Sequence, residues 1–197
     1  MADEEKTRVI TEFRDGIFAL RTRRFGNVAE IMIKKLWELN ESDSLAYDKK
    51  DLISGERIEI KFATVMKKNE DIIREDNVVE QCLLANIANR AMLRSEANEY
   101  DFDCNIQQVK RKEFDILFYG LFFADEIEIF EMKSESVLNC EGYSDKQHRG
   151  NEGEGQFHVT NKNIQYHRDN YLKCVCTYEE LYDLFTKNVK PRFWSAG

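Results

Sequence analysis

The chain has 197 residues, of which 42% are hydrophobic and 12% aromatic, and a formal net charge of −8. This size and composition suit a globular core, and we expect a single domain over residues 1–197. No apolar run approaches the length of a membrane span, and the N-terminus lacks the form of a signal peptide, so a cytoplasmic protein without a membrane partner is expected. Five cysteines without a CxxC pair argue against a structural zinc site and for reduced thiols.

The negative charge argues against nonspecific adhesion to nucleic acid, but it leaves room for a DNA enzyme whose basic residues line a cleft. Short basic clusters are present, and each taken alone is typical of a solvated surface. They are Arg21, Arg23 and Arg24; Lys67 and Lys68; Lys110, Arg111 and Lys112; and His148 and Arg149.

Helices are predicted in the first half of the chain from apolar residues at helical spacing. The first covers Thr7 to Leu20, and the second covers Val28 to Leu39 with Asn27 as its N-cap. Residues 66–97 are also predicted to be mostly helical. The apolar stripe that this region should bury consists of Val78, Val79, Cys82, Leu83, Ile87 and Leu93.

Strands dominate the second half. The run from Phe114 to Phe123 predicts a central strand that is apolar on both faces, and the alternation from Glu126 to Met132 predicts a half-buried strand. The glycine-rich, charged segment Glu141 to Gln156 predicts a mobile loop, and a short strand is predicted over Phe157 to Thr160.

Two further helices are predicted near the end, one over Asn163 to Leu172 and one that runs from a capping box at Thr177 and Glu180 to about Phe185. The order of elements indicates an α/β protein, with α+β as the other possibility, built on a central mixed β-sheet flanked by helices.

The segment from Tyr47 to Lys61 predicts a β-hairpin whose second strand ends in Glu-x-Lys. Side chains alternate along a strand, so Glu59 and Lys61 point to one face while Ile58 and Ile60 point to the other, into a core. An acidic residue on the first strand would complete a patch of two carboxylates and one ammonium, which can hold a magnesium ion and a phosphate together.

The first strand offers two candidates for that acid, Asp48 and Asp51. A two-residue turn at Ser54-Gly55 pairs Asp48 with Lys61 and places Asp48 on the shared face. A three-residue turn reverses the parity and selects Asp51. We favour Asp48 and keep Asp51 as the alternate.

This ordered set resembles the PD-(D/E)xK phosphodiesterase superfamily, to which most type II restriction endonucleases belong. The resemblance covers about residues 24–133 and combines Gly26-Asn27-Val28-Ala29-Glu30, Tyr47-Asp48, Glu59-Ile60-Lys61 and the strand from Phe114. No proline precedes either aspartate, which the superfamily often tolerates. The Glu-x-Lys form alone is a weak signal, since it recurs at Glu131-Met132-Lys133.

The resemblance implies a magnesium site in which manganese can substitute. Asp48 and Glu59 would be direct ligands, together with the carbonyl of Ile60, because hard carboxylate oxygens favour this ion. Lys61 would hold the attacking water and stabilise charge on phosphorus. Glu30 matches the position from which a helix often contributes a glutamate, and it would bind a second metal or a metal-bound water. Ion pairs on a surface hairpin are the structural alternative.

A second polar constellation lies within residues 141–172, which we interpret as a DNA-recognition segment. Gln and Asn side chains can read adenine edges, and lysine can read guanine or bind phosphate. Alternation would place Gln156, His158 and Thr160 on one face. A connecting loop with capping residues is the alternative. The candidate recognition residues are Gln156, His158, Thr160, Asn161, Lys162 and Asn163.

The leading hypothesis is a sequence-specific endonuclease for double-stranded DNA, acting as a homodimer in a prokaryotic cell. The second is a repair or structure-specific nuclease of the same fold. The third, from another class, is a non-catalytic α/β module that binds a protein partner.

Overall fold

A computed structural model of the chain describes residues 2–68, 71–146 and 152–191. The strands are β1 (Asn40–Glu41), β2 (Lys49–Lys50), β3 (Arg57–Thr64), β4 (Asp103–Val109), β5 (Ile116–Phe122), β6 (Glu126–Lys133), β7 (Ser144–Lys146), β8 (Glu152–Thr160) and β9 (Leu172–Thr177). The helices are α1 (Ala2–Phe18), α2 (Thr22–Trp37), α3 (Val78–Leu84), α4 (Ile87–Arg90), α5 (Ile164–Tyr171) and α6 (Tyr178–Lys187). Two short 3₁₀ helices cover Arg94–Asn98 and Ser134–Asn139.

A six-stranded sheet organises the fold, with the strand order β1-β2-β3-β5-β6-β9. Strands β3 and β5 are parallel, and the other neighbours are antiparallel. A second sheet has three strands in the order β4-β8-β7. The expected class, an α/β protein with a mixed sheet flanked by helices, is therefore confirmed.

Two hydrophobic cores lie on opposite faces of the six-stranded sheet. On one face, Met32 and Leu36 of α2 pack with Ile58 and Ile60 of β3, together with residues of α1 and α6. On the other face, residues of β5 such as Tyr119 pack with the three-stranded sheet and α5, and we call this cluster the second core. Each strand can serve both cores because its side chains alternate between the faces. Within the described ranges, no helix combines the length and apolar character needed to cross a membrane.

Strand β5 confirms the expected central strand, because all seven of its residues are buried. Strand β6 is more deeply buried than the alternation predicted. Its residues 127–130 are buried without interruption, since β9 extends the sheet beyond it and both faces are covered. Glu128, a charged residue in this run, is compensated by ion pairs with Arg94 and Arg168.

The second helix begins earlier than expected, at Thr22 instead of Val28, and Asn27 lies inside it rather than at its N-cap. Phe25 and Ala29 are both buried on the α2 face that meets the core. This packing outweighs the cost of about 1 kcal/mol for Gly26 within a helix.

The prediction for residues 66–97 is wrong in its extent and in its buried face. Among the described residues of this range, the helices are α3, α4 and the 3₁₀ helix at Arg94–Asn98. The expected stripe lies at the surface: Val79 is 70% exposed and Leu83 is 62% exposed. Apolar spacing predicted an amphipathic helix correctly for α3, but this segment lies outside both cores, so the sheet does not cover its apolar face.

The segment Glu141 to Gln156 is not the single loop that glycine content predicted. It contains β7 and the first half of β8, which starts at Glu152 and extends the short strand expected at Phe157. Residues 147–151, with His148 and Arg149, lie outside the described residues. Strand β8 pairs with β4, which had not been predicted.

The final helix α6 starts at the expected capping box. The Thr177 hydroxyl accepts a hydrogen bond from the Glu180 N–H at 3.2 Å, and the Thr177 N–H donates to the Glu180 carboxylate at 2.9 Å. Both hydrogen bonds satisfy backbone N–H groups that have no helical partner at the start of a helix.

Candidate active site

The hairpin that carries the Glu-x-Lys segment closes through a four-residue loop rather than the expected two-residue turn. The Asp51 N–H donates to the Glu56 carbonyl at 3.0 Å, which leaves residues 52–55 as the loop. Gly55 adopts a φ of +79°, a conformation that favours glycine. The loop is two residues longer than expected, so the parity of the strand faces is unchanged.

Asp48 is the aspartate that meets Glu59 and Lys61. One Asp48 carboxylate oxygen accepts a hydrogen bond from the Ile60 N–H at 2.8 Å, so the side chain is held against β3. The same oxygen lies 3.8 Å from the Lys61 ammonium, which also forms an ion pair with Glu59. The expected patch of two carboxylates and one ammonium is therefore present as a contact cluster.

Asp51 is used differently. Its carboxylate accepts hydrogen bonds from the backbone N–H groups of Ile53 at 2.7 Å and Ser54 at 3.2 Å. This is a turn cap of the Asx type, which stabilises the loop of the hairpin. The structure thus brings Asp48, and not the alternate Asp51, to Glu59 and Lys61.

Burial shapes the charges of this cluster. Glu59 is only 7% exposed, and burial raises its pKa to about 7; the Lys61 ammonium opposes this shift and the Asp48 carboxylate adds to it. For Lys61, burial lowers the pKa, but attraction by Glu59 and Asp48 outweighs it and the pKa is raised. The lysine is therefore held as a cation, while Glu59 gains and loses its proton close to neutral pH.

Glu30, the helical candidate, makes its direct contact with another lysine. Its carboxylate lies 3.2 Å from the Lys49 ammonium. Lys49 is paired in the sheet with Ile58, whose side chain belongs to the core under α2. Because cross-strand partners share a face, Glu30 approaches from the helical side of the sheet, opposite to the side of Glu59. Its charge still contributes to the raised pKa of Lys61, and its role as a metal ligand stays a prediction.

The fit to a magnesium ion depends on the two carboxylates of Asp48 and Glu59. Among the described residues, no group of three or more His, Cys, Asp and Glu side chains is arranged to hold a metal ion. The pair nevertheless converges on one positive charge, since both carboxylates contact the Lys61 ammonium. Magnesium commonly takes only one or two carboxylates and completes its shell with water and phosphate oxygens, so the donor set suits this ion.

The structure also contains a groove of about 600 Å³, which Asp48, Glu59 and Lys61 do not line. Its lining residues are Lys110, Arg111, Lys112, Glu113, Tyr143, Asp145, Gly153 and Glu154. We call residues 110–112 the basic turn. Arg57, two residues before Glu59 on β3, connects the two features: it donates to the Lys112 carbonyl at 3.4 Å and forms a two-pronged ion pair with Asp115.

The groove also reaches the cluster electrostatically, because the Glu113 carboxylate contributes to the raised pKa of Glu59. The sequence contained a signal for this groove, the three consecutive basic residues 110–112. Without the fold, those residues could not be distinguished from a solvated surface.

The candidate recognition residues are divided between β8 and the turn that follows it. Phe157 and Val159 are buried in the second core, so Gln156 and His158 lie on the outer face, as the alternation predicted. The Gln156 amide oxygen accepts a hydrogen bond from Asn105 at 3.2 Å, and the His158 ring lies 2.5 Å from the Asp103 carboxylate. Both partners come from β4.

The remaining candidate recognition residues belong largely to the turn. Asn163 is buried, accepts from the Thr160 N–H at 2.8 Å and donates to the His158 carbonyl at 2.8 Å. Asn161 donates to Asp101 at 2.7 Å, whereas Lys162 is exposed. The hydrogen bonds of Asn163 therefore stabilise the turn itself, so Asn163 is not available to contact DNA.

Comparisons of the chain with protein-family models, with curated proteins and with solved structures found no match. The contact cluster of Asp48, Glu59 and Lys61 and the basic groove therefore carry the functional conclusion.

Proposed function

We propose that this protein is a magnesium-dependent endonuclease that hydrolyses phosphodiester bonds in double-stranded DNA, in the manner of the type II restriction enzymes that its motifs resemble. The observation that carries the proposal is the contact cluster of Asp48, Glu59 and Lys61. Arg57 and Glu113 link this cluster to a groove with basic residues. Two acids and one lysine in contact are the groups that this reaction requires.

In this proposal Asp48 and Glu59 hold the ion, and manganese can replace magnesium. The ion, when bound, polarises a water molecule and neutralises charge on the phosphate and the departing 3′-oxygen. Because its pKa is about 7, Glu59 must give up a proton before it can act as a ligand below that pH.

Lys61 has a separate task in the proposal. With Asp48 and Glu59 engaged as ligands, the Lys61 ammonium would be available to the phosphate. Its raised pKa keeps it cationic, so it can orient the attacking water and stabilise negative charge that develops on phosphorus. The β3 backbone, through the Ile60 N–H, keeps the Asp48 carboxylate in place during these steps.

Sequence specificity and a homodimer are the finer parts of the proposal. Gln156 and His158 present polar groups on the outer face of β8, where base edges can be read. A dimer would bring two identical sites to the two strands of a palindromic sequence. Nuclease action on a DNA structure instead of a sequence is the alternative within the same chemistry.

The test is incubation of the purified protein with plasmid and phage DNA in magnesium, in manganese and in EDTA. Discrete fragments are expected with either metal and none with EDTA, whereas nicked circles or a smear would favour the structure-specific alternative. Glu59→Ala and Lys61→Ala should each abolish cleavage. The matched controls, Glu131→Ala and Lys133→Ala, alter the second Glu-x-Lys segment and should retain it.

Absence of cleavage under every metal would favour a non-catalytic interaction module and reject the proposal. Wild-type rates in the Glu59→Ala or Lys61→Ala variant would reject the assignment of the site. Circular dichroism of each variant establishes that a loss of activity does not reflect a loss of folding.

A further inference from the structure

The basic turn is a rigid feature of the groove. Its two ends are anchored by Val109 and Phe114, which are both fully buried in the second core. The Glu113 N–H donates to the Lys110 carbonyl at 2.8 Å, which closes the turn. Three consecutive cationic side chains are therefore presented from a fixed stretch of backbone between β4 and β5.

The acids in the groove hold these cations only loosely. Lys110 lies 3.6 Å from Glu154 and 3.9 Å from Glu113, and Arg111 lies 4.0 Å from Asp145. Ion pairs at such distances on a solvated surface contribute little stability. Lys112 is exposed and forms no ion pair within the described part of the chain. An anionic ligand can therefore replace the acids as the partner of the turn.

The basic turn lies between the strand of the candidate active site and β8. On one side, Arg57 of β3 donates to the Lys112 carbonyl. On the other side, Lys110 contacts Glu154 of β8, and Gln156 follows two residues later on the same strand face.

An aromatic side chain forms part of the wall. The Tyr143 hydroxyl donates to Asp145 at 2.8 Å, and its ring lies against the backbone of Gly155. A Cβ at Gly155 would lie 2.5 Å from a Tyr143 ring carbon, so glycine is required for this contact. An aromatic edge beside cations suits a ligand that carries both phosphates and flat rings or sugars.

We propose that the groove binds the sugar-phosphate backbone of one DNA strand next to the scissile phosphate, with Lys110, Arg111 and Lys112 contacting successive phosphates. The inference rests on the proposed function, since it names the path of that function's substrate. The volume of about 600 Å³ matches pockets that hold small molecules, so it takes a short stretch of one strand rather than a duplex.

The experiment measures binding without cleavage. Fluorescence anisotropy of a labelled duplex in EDTA, over a range of salt concentrations, gives the affinity and its salt dependence. The variant Lys110→Ala/Arg111→Ala/Lys112→Ala should reduce the slope of log affinity against log salt by about 1 for each phosphate that the protein no longer neutralises. The control Lys35→Ala/Lys187→Ala/Lys190→Ala removes the same charge from α2, α6 and the segment after α6, and should leave the slope unchanged.

Two further variants should change the DNA affinity in the opposite direction. Asp145→Asn and Glu154→Gln remove the acids that compete with phosphate, so each should tighten binding about two- to tenfold at low salt. A merely structural role for the turn would not produce tighter binding from these changes. Equal slopes for the two triple variants, or weaker binding in Asp145→Asn and Glu154→Gln, would overturn the inference.

The outcomes separate this inference from the proposed function. Cleavage by the wild type together with unchanged binding by the basic-turn variant rejects the groove and leaves the endonuclease standing. Binding that depends on the basic turn, without cleavage in any metal, supports the groove as a nucleic-acid surface and rejects hydrolysis.

Discussion

Two Glu-x-Lys segments of the same sheet have different surroundings. On β3, Glu59 and Lys61 contact each other, and Lys61 also contacts Asp48, the residue just before β2. On β6, Glu131 forms an ion pair with Lys173 of β9 at 3.0 Å, and Lys133 is exposed. The same tripeptide is therefore a buried cluster in one strand and a surface ion pair in the other.

Sheet position explains the difference. Glu59 is aligned with Leu117 on the face of the second core, whereas Glu131 is paired with Phe118 on the opposite face, which packs against α2. Beside β3, the segment that leads into β2 supplies the acid Asp48. Beside β6, β9 supplies the base Lys173. A tripeptide thus has chemical meaning only together with the strand beside it, and four predictions test this contrast.

The largest effect is expected for Lys61→Met. Removal of the ammonium should lower the cleavage rate by about 10²–10³-fold, the usual cost of one group that stabilises transition-state charge. Binding of manganese should persist, because the carboxylates remain. Single-turnover cleavage and calorimetric titration measure the two effects. Lys133→Met is the matched control, and an equal loss of rate in both variants would remove the distinction between the segments.

The next effect concerns the metal itself. Asp48→Asn should weaken manganese affinity by about tenfold or more, because a charged ligand is removed. Asp51→Asn, which alters only the turn cap, should keep wild-type affinity. Titration followed by electron paramagnetic resonance reports bound manganese directly. Weaker binding in Asp51→Asn with normal binding in Asp48→Asn would reverse our choice between the two aspartates.

The third prediction uses pH. The pKa of Glu59 is raised to about 7 by burial, so below that pH a metal ion must displace its proton. Manganese affinity should therefore fall by about tenfold for each pH unit below 7 and level off above it. In Glu59→Gln this dependence should vanish, whereas Glu131→Gln should retain it. A flat pH profile for the wild type would contradict a role for Glu59 as ligand.

The smallest effect concerns stability without metal. A carboxyl whose folded pKa lies above its unfolded pKa favours the folded state at low pH, and this contribution is lost as pH rises from about 4.5 to about 7. Glu59→Gln should therefore raise the free energy of unfolding by about 1–2 kcal/mol at pH 8 and leave it nearly unchanged at pH 4.

The paired variant Glu131→Gln should lower that free energy by less than about 1 kcal/mol at pH 8, because it removes only a partly exposed ion pair. Urea denaturation in EDTA measures both variants. Destabilisation by Glu59→Gln at pH 8 would show that its ion pair with Lys61 outweighs the cost of its burial.

The local sequence pattern correctly predicted those elements whose environment follows from their own residues. The apolar run at Phe114 required cover on both faces, and β5 has it. The capping box at Thr177 and Glu180 needs only residues within one helical turn, and α6 begins there. Hairpin parity placed Asp48 on the correct face even though the loop length was wrong, since only an odd change would have moved it.

Prediction failed where distant partners decide. The apolar spacing of Val79 and Leu83 was correct for a helix, but burial depends on whether another element covers that face. Asn163 has the side chain of a base reader, yet its hydrogen bonds go to Thr160 and His158 in its own turn. The position of Glu30 beside Lys49 depends on how α2 lies across the sheet.

The sequence by itself determined the alternation that puts Glu59 and Lys61 on one strand face, because the period of a strand is independent of its surroundings. Hairpin parity favoured Asp48 as their partner, but only the tertiary structure decided between Asp48 and Asp51. It also decided that Arg57 links the cluster to the basic turn and that Glu131 and Lys133 remain at the surface. These outcomes depend on strand order and on contacts between residues far apart in the chain, where no local spacing sets the distance.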